Sequence, residues 1–273
     1  MPQPTLSPAG EILRRWRVVR GKSQLDLALD ADVSPRHVSF IETGRACPSR
    51  DMLVALSEAL DIPLRERNAL LLAAGYAALY SETPIDAPQM AQVRRAIDAI
   101  LRAHTNSPAI VVNRRYDILQ TNAAAKALMG GAAKPDAGGH HRPNLLRMLL
   151  SQDCLRPAIE NWQELSTVLI RRVLRESEAV ESLRRDLQEI VDECVPDRGA
   201  SLLRKVDWSQ PAEVLLPLRI RAGEISLALF STITTLGTPS DITLQELRIE
   251  AFHPADRKTE EFLAGVIGAD SAA

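Results

Sequence analysis

The chain has 273 residues, 45% hydrophobic and 25% charged, which is ordinary globular composition and long enough for two domains. A formal net charge of -2 and a pI near 6.2 exclude a general basic nucleic-acid coat, so any DNA binding has to come from a local patch. Cys47, Cys154 and Cys194 are too scattered for a disulfide framework or a metal site, and neither a signal peptide nor a membrane-spanning run is expected, which points to the cytoplasm.

The first helix is expected from Ser7-Pro8 to Gly21, with Ile12, Leu13, Trp16 and Val19 at helical spacing. A second runs from Gln24 to Ala31 and is read as carrying Leu25, Ala28 and Leu29 inward. Asp32-Val33-Ser34 makes a turn. A third helix runs from Pro35 to Thr43: Ser34 suits its N-cap, Pro35 its first position and Gly44 its C′ position. A fourth follows Ser49, with Met52, Leu53, Leu56 and Leu60 as its stripe. A fifth spans Leu64 to Ala74 and stops at Gly75. The pair Gln24–Ala31 and Pro35–Thr43 has the layout of a helix-turn-helix, whose second helix is short enough to lie in a DNA major groove. Arg14, Arg15, Arg17, Arg20, Lys22, Arg36, Arg45 and Arg50 supply the local basic patch.

Beyond the proline-bearing stretch 76–90 the pattern turns mixed. A helix is expected near Met90 to Ala103, then two strands, 109–113 and 116–120, around an Arg114-Arg115 turn. An alanine-rich helix follows over Asn122 to Met129. Gly130 to Pro143 holds four glycines, two prolines and the pair His140-His141, and reads as a loop. Helices resume over Asn144–Leu150 and about Pro157–Val195, with a break near Glu176. From there the period shifts toward two, giving strands at 214–220, 224–232 and 243–251 and a closing helix from Ala255 to Ile267. The fold class is therefore α+β: an all-α five-helix domain over residues 1–76, a linker over 77–90, and a mixed domain over 91–273.

The order Ser23-Gln24, Leu27-Ala28, Val33-Ser34, Ile41-Glu42, Gly44-Arg45, Pro48-Ser49 and Leu53 resembles the cro/repressor-like (XRE-type) helix-turn-helix regulators, over about residues 9 to 75. The resemblance implies a lambda-repressor-like domain that binds a double-stranded DNA operator. The DNA-contacting set is then Gln24, Ser34, Pro35, Arg36, His37, Ser39, Phe40, Arg45 and Arg50. Arg36 is the best base reader, since its planar fork meets guanine bidentately. Phe40 suits a thymine methyl. By the same resemblance Gln24 bonds a phosphate, and Arg17 and Glu42 form an ion pair internal to the domain, so that losing Arg17 would damage folding. Arg45 and Arg50 flank the following loop and suit phosphates.

The run from Pro63 to Tyr76, together with Pro108-Ala-Ile-Val-Val-Asn113, Thr121-Asn-Ala-Ala124, Arg142-Pro-Asn-Leu-Leu146, Asn161-Trp162, the stretch Ser231 to Asp241, Leu247-Arg-Ile-Glu250 and Pro254-Ala-Asp256, resembles regulators of the MmyB-like type. That resemblance implies a PAS-like C-terminal domain that senses a small, largely apolar effector, fatty-acid-like or furan-like. A homodimer is expected, its two reading helices meeting half-sites about one helical turn apart. Leu236 and His253 stand where the family usually has phenylalanine. Candidate ligand-binding residues are Val112, Tyr116, Asn122, Met148, Trp162, Phe230 and Thr232; plain core packing is the competing reading for each, and for Asn122 the cap of the following helix. No cofactor beyond a bound fatty acid or similar molecule, no metal, no enzyme activity and no membrane partner are expected. The alternative function is a DNA-binding regulator whose second domain only dimerises or recruits a protein.

Overall fold

The computed structural model describes residues 7–130, 142–195, 217–237 and 239–270. The chain divides into two compact units: one holds residues 7–83 together with Glu178–Val180 and 239–245, the other the remaining described residues. The His140-His141 pair and the start of the strand expected at 214 lie outside the described residues.

The first unit begins with five helices: α1 (Pro8–Val19), α2 (Gln24–Asp30), α3 (Pro35–Glu42), α4 (Arg50–Ala59) and α5 (Leu64–Ala73). Four of them start at a serine. The hydroxyls of Ser7, Ser23, Ser34 and Ser49 each accept a backbone N–H from the first turn, and Asp26 completes a capping box by accepting from Ser23 N. Gly21, Gly44 and Gly75 end α1, α3 and α5 with positive φ. The core is aliphatic: Leu13, Leu27, Val38, Ile41, Leu53, Leu56, Leu60 and Leu70 are fully buried. α1 crosses α3 so closely that a Cβ on Gly10 would sit 2.6 Å from the Ile41 carbonyl oxygen and 2.7 Å from that of Glu42.

α2 corrects one expectation. Leu25 and Leu29 are 55% and 72% exposed, and the helix instead buries Leu27 and Ala28. Four of its seven residues are apolar, so two opposed stripes fit the helical period equally well. Contact with α3 and α4 selects the face carrying Leu27 and Ala28.

The second unit is built on a five-stranded antiparallel sheet, in the order β2-β1-β5-β4-β3. Its strands are β1 (Ala109–Val112), β2 (Ile118–Thr121), β3 (Pro217–Ala222), β4 (Ile225–Thr234) and β5 (Arg248–Pro254). Its helices are α6 (Ala91–Ala103), α7 (Ala123–Met129), α8 (Leu145–Leu150), α9 (Trp162–Ser177), α10 (Glu181–Cys194) and α12 (Arg257–Asp270); the short α11 (Ile242–Glu246), just before β5, belongs to the first unit up to Gln245. The expected strand over 243–251 is therefore corrected at its start. The side chain of Asp241 accepts from Thr243 N at 2.9 Å, and this bond turns the chain into a helical turn before β5 begins. The break near Glu176 is a three-residue step between α9 and α10. Tyr116 lies in the β1–β2 connection with φ 66 rather than in a strand. Asn113 holds that connection: its side-chain Oδ1 accepts from the backbone N–H of both Arg115 and Asp117.

Register fixes which residues share a face, because directly paired residues point to the same side. Ile110 pairs with Glu250 and Val112 with Arg248, while Ser231 pairs with Phe252. Ala109 and Thr232 both pair with Ala251, and Phe230 pairs with His253. Val112 and Phe230 therefore belong to opposite faces.

Candidate nucleic-acid interface and ligand domain

Ser34 and Pro35 set the start of α3: the Ser34 hydroxyl accepts from His37 N at 3.2 Å, and Pro35 occupies the first turn, where a missing N–H costs nothing. Val38, Ile41 and Glu42 turn inward. Arg36 is left exposed, with His37, Ser39 and Phe40 half-buried beside it. The Arg36 guanidinium lies 5.1 Å from the centre of the Phe40 ring. Such stacking limits the rotamers of a long cation before any ligand arrives.

Behind this surface lies a polar lock. Arg17 of α1 donates to both carboxylate oxygens of Glu42 at 2.6 and 2.9 Å, and a third bond runs from Arg17 to Lys22 O. Gln24 of α2 donates its side-chain amide to Glu42 Oε2 at 2.8 Å. The Glu42 side chain is 2% exposed. The hydrogen bonds that Arg17 donates to Glu42, reinforced by the carboxylate charge, raise the Arg17 pKa despite burial. One carboxylate thus joins α1, α2 and α3. Gln24 reaches the surface with its amide already committed to this lock.

The basic patch sorts into two groups. Arg20 donates to Leu60 O and Asp61 O and stacks on Trp16; Lys22 bonds Asp30 and Ala59 O. With Arg17 these three serve the helical scaffold. Arg14, Arg15, Arg36, Arg45 and Arg50 are exposed and, among the described residues, are in no ion pair. A set of exposed, uncompensated cations on a rigid helical frame is what phosphate contacts need.

In the second unit the seven candidate ligand residues do not form one site. Val112 and Tyr116 are buried on the face that meets α9, since Tyr116 donates its hydroxyl to Glu176 Oε2 at 2.8 Å and Arg172 reaches Glu250. Met148 is buried on α8, and Trp162 at the start of α9 donates to Leu149 O at 3.3 Å beneath the Arg156 guanidinium. Phe230 and Thr232 lie on the opposite face with His253. The Phe230 and His253 rings are 5.3 Å apart, and Thr232 Oγ1 is 3.0 Å from His253 Nε2. Asn122 is saturated: its amide donates to His104 O and Ser107 O, and its carbonyl oxygen accepts from Ala109 N and Ala125 N, so it caps α7 and pins the turn before β1. An open groove of about 290 Å³ runs beside it, lined by Leu101, Arg102, His104 and Gln120 among others.

The residues that sequence reasoning missed are charged. Glu250 on β5, 2% exposed, is held by both Nη atoms of Arg172 on α9. Arg172 also bonds Glu176, and Glu176 accepts from Arg248 on β5 and from Tyr116. Both guanidiniums face the Tyr116 ring. Burial pushes the Glu176 carboxyl up, but Arg248, Arg172 and the bonds from Arg248 and Tyr116 outweigh it and hold it below the usual range. Burial raises the Tyr116 phenol well above its ordinary value, with the Glu176 charge adding to it, so the hydroxyl stays a donor. The only sequence signal was a pair of opposite charges, Arg248 and Glu250, at alternate positions of an apolar strand.

A helix-turn-helix with an exposed arginine, Arg36, on its second helix, followed by a mixed domain with a buried polar cluster, fits a DNA-binding transcription regulator that carries a ligand-binding domain. The family models agree: the helix-turn-helix model matches residues 13–67, and the MmyB-like transcription regulator ligand binding domain matches residues 93–265. The chain belongs to the MmyB-like transcription regulators. No curated protein matches it. Both families are regulatory rather than enzymatic. Among the described residues, no helix is long and apolar enough to cross a membrane.

Proposed function

We propose that this regulator reads a pseudo-palindromic operator as a homodimer in the cytoplasm, with α3 in the major groove and an apolar effector held in the second unit. The observation that carries the DNA reading is the outer face of α3. Arg36 stands there exposed and stacked on Phe40, and Arg36, Arg45 and Arg50 are in no ion pair among the described residues. In this arrangement Arg36 reads a base pair, Ser39 and His37 support it, and Arg45 and Arg50 hold phosphates. Gln24 positions α2 through Glu42 and meets the backbone with its remaining polar atoms. Two copies of α3 would meet half-sites about one helical turn apart.

The apolar character of the effector is supported by what surrounds Val112 and Tyr116. The cations there, Arg172 and Arg248, are matched by Glu250 and Glu176, so no net charge is left to hold an ionic ligand within that cluster. A furan-like ring or the hydrocarbon chain of a fatty-acid-like effector packing on the aliphatic residues fits this balance, with any carboxylate lying outside the cluster. Ligand acts on operator affinity only as far as it prefers one arrangement of the protein over another.

Native mass spectrometry of the full chain, purified gently from its own host, tests both points together. The expected spectrum is a dimer carrying an apolar adduct. A bare dimer whose denatured extract also yields no lipid-like molecule would turn the second unit into a dimerisation or partner-docking element. A monomer that still binds a single operator would remove the paired half-sites.

A further inference from the structure

The helical unit contains two pieces of chain that lie, in sequence, inside the region matched by the ligand-domain model. They are Glu178–Val180 and residues 239–245. Ala179 and Val180 are buried. In the second piece, Asp241 is 9% exposed and its Oδ2 accepts from both the backbone N–H and the hydroxyl of Thr83, while Ile242 N donates to Ser81 O at 2.8 Å. Gln245 Oε1 accepts from Leu64 N at 2.6 Å. That bond fills a specific gap. α5 begins after Pro63, which offers no side-chain cap, and the missing acceptor comes from a residue 181 positions later.

The two pieces share a root. Glu178–Val180 follows α9, whose last turn carries Glu176. Residues 239–245 precede β5, which begins at Arg248. Arg248 and Glu176 are ion-paired with each other, and Glu176 is held as well by Arg172 and Tyr116. Tyr116 itself sits at φ 66, a strained conformation for an aromatic residue that persists only where its surroundings impose it.

We propose that the Glu176–Arg248 pair is a regulatory clasp on the DNA-binding unit. It fixes the ends of two chain segments that are built into that unit, so a rearrangement at Tyr116 and Glu176 is delivered to Asp241 and Gln245, and through them to the start of α5 and to residues 81–83. Glu176 is held by two arginines at once, so Arg248 can be released while Arg172 keeps the carboxylate paired. An effector that packs beside Val112 and favours this released state would loosen the cap of α5. By linkage, DNA that favours the capped form would weaken such an effector. This rests on the reading that the first unit binds DNA and the second binds the effector.

Hydrogen exchange by mass spectrometry on the full chain tests the clasp without DNA or effector. Glu176→Gln, which keeps a polar side chain but removes the charge that holds Arg248, is expected to speed exchange at Leu64–Arg67 and at residues 81–83 by about fivefold, the factor of one lost helix cap. α1 to α3 should exchange as in the native chain. Gln245→Ala, which leaves the clasp intact, should give the same rise at Leu64. If Glu176→Gln does not fold, Arg248→Lys, with the charge kept and the reach shortened, is read at the same amides. Native exchange at Leu64 in Gln245→Ala overturns the docking of the segment. Native exchange at Leu64 and 81–83, with faster exchange at 172–177 and 248–251, overturns the clasp. Either result leaves the DNA-binding reading standing, and a chain that binds no DNA leaves the exchange result standing.

Discussion

Two carboxylates, Glu42 and Glu250, each 2% exposed, have opposite designs. Glu42 is satisfied by donors close in sequence, Arg17 and Gln24, which are 25 and 18 positions away. Its bonds end there, and they lock three helices into one frame. Glu250 is held by a single arginine 78 positions away, and that arginine is shared with Glu176, which is shared in turn with Arg248 and Tyr116. The first arrangement has one way to be satisfied and holds a reading helix still. The second has alternatives, and a set of charges that can re-pair is a physical basis for a switch.

Breaking the two locks should separate them most clearly. Arg172→Met strands Glu250 with no other described partner and removes one support of Glu176, so the second unit should lose about 3–5 kcal/mol. Arg17→Met leaves Gln24 on Glu42, and the helical unit should lose about 3 kcal/mol, near the low end of that range. Denaturant unfolding followed with a probe in each unit measures both, and each loss should fall on one transition only. Equal losses, or losses in the wrong unit, would dissolve the contrast. Next in size is Gly10→Ala. The added methyl meets the backbone of α3 and has to push it, at a cost of about 1–3 kcal/mol, and operator affinity should fall in excess of that expected from unfolding alone. Native stability in this variant would mean that α1 can slide on α3.

pH sharpens the comparison further. Glu176 is held below its ordinary value of 4.5 in the folded chain. Its stabilisation is therefore complete above that value and is lost as pH falls through the folded pKa. The acid limb of stability of the second unit should be shallower in Glu176→Gln than in the native chain, while neutral-pH stability drops. An acid limb unchanged by the substitution would show that Glu176 is not the titrating group.

The helical unit was legible because its signals are local. Ser34-Pro35, Ser23 with Asp26, and Gly44 mark helix ends within a few residues of each other. The inward face of α2 was not, since a seven-residue helix with leucines at 25, 27 and 29 satisfies two stripes and only packing chooses. Likewise Ile242 to Glu250 alternates polar and apolar but for one slip at Gln245-Glu246, so the stretch reads as strand until the Asp241 side-chain bond shows the helical turn before β5. The pair Arg17 and Glu42 entered through resemblance and the structure shows the bonds between them. The cluster around Glu250 left almost no trace, because its members come from the β1–β2 connection, α9 and β5, and long-range pairing has no sequence period. Asn122 shows the limit from the other side: a polar residue near a groove reads as a ligand group, yet all four of its bonds go to backbone.

The most direct test of the account is Arg36→Ala measured by fluorescence anisotropy on two duplexes, one selected from a random pool by the native chain and one scrambled from it, at fixed salt. A reading arginine contributes discrimination of about 1–3 kcal/mol. The variant should therefore lose roughly ten- to a hundredfold on the selected duplex and little on the scrambled one, with the salt dependence of binding nearly unchanged. An equal loss on both duplexes would make Arg36 a phosphate contact, and α3 would no longer be the element that reads sequence.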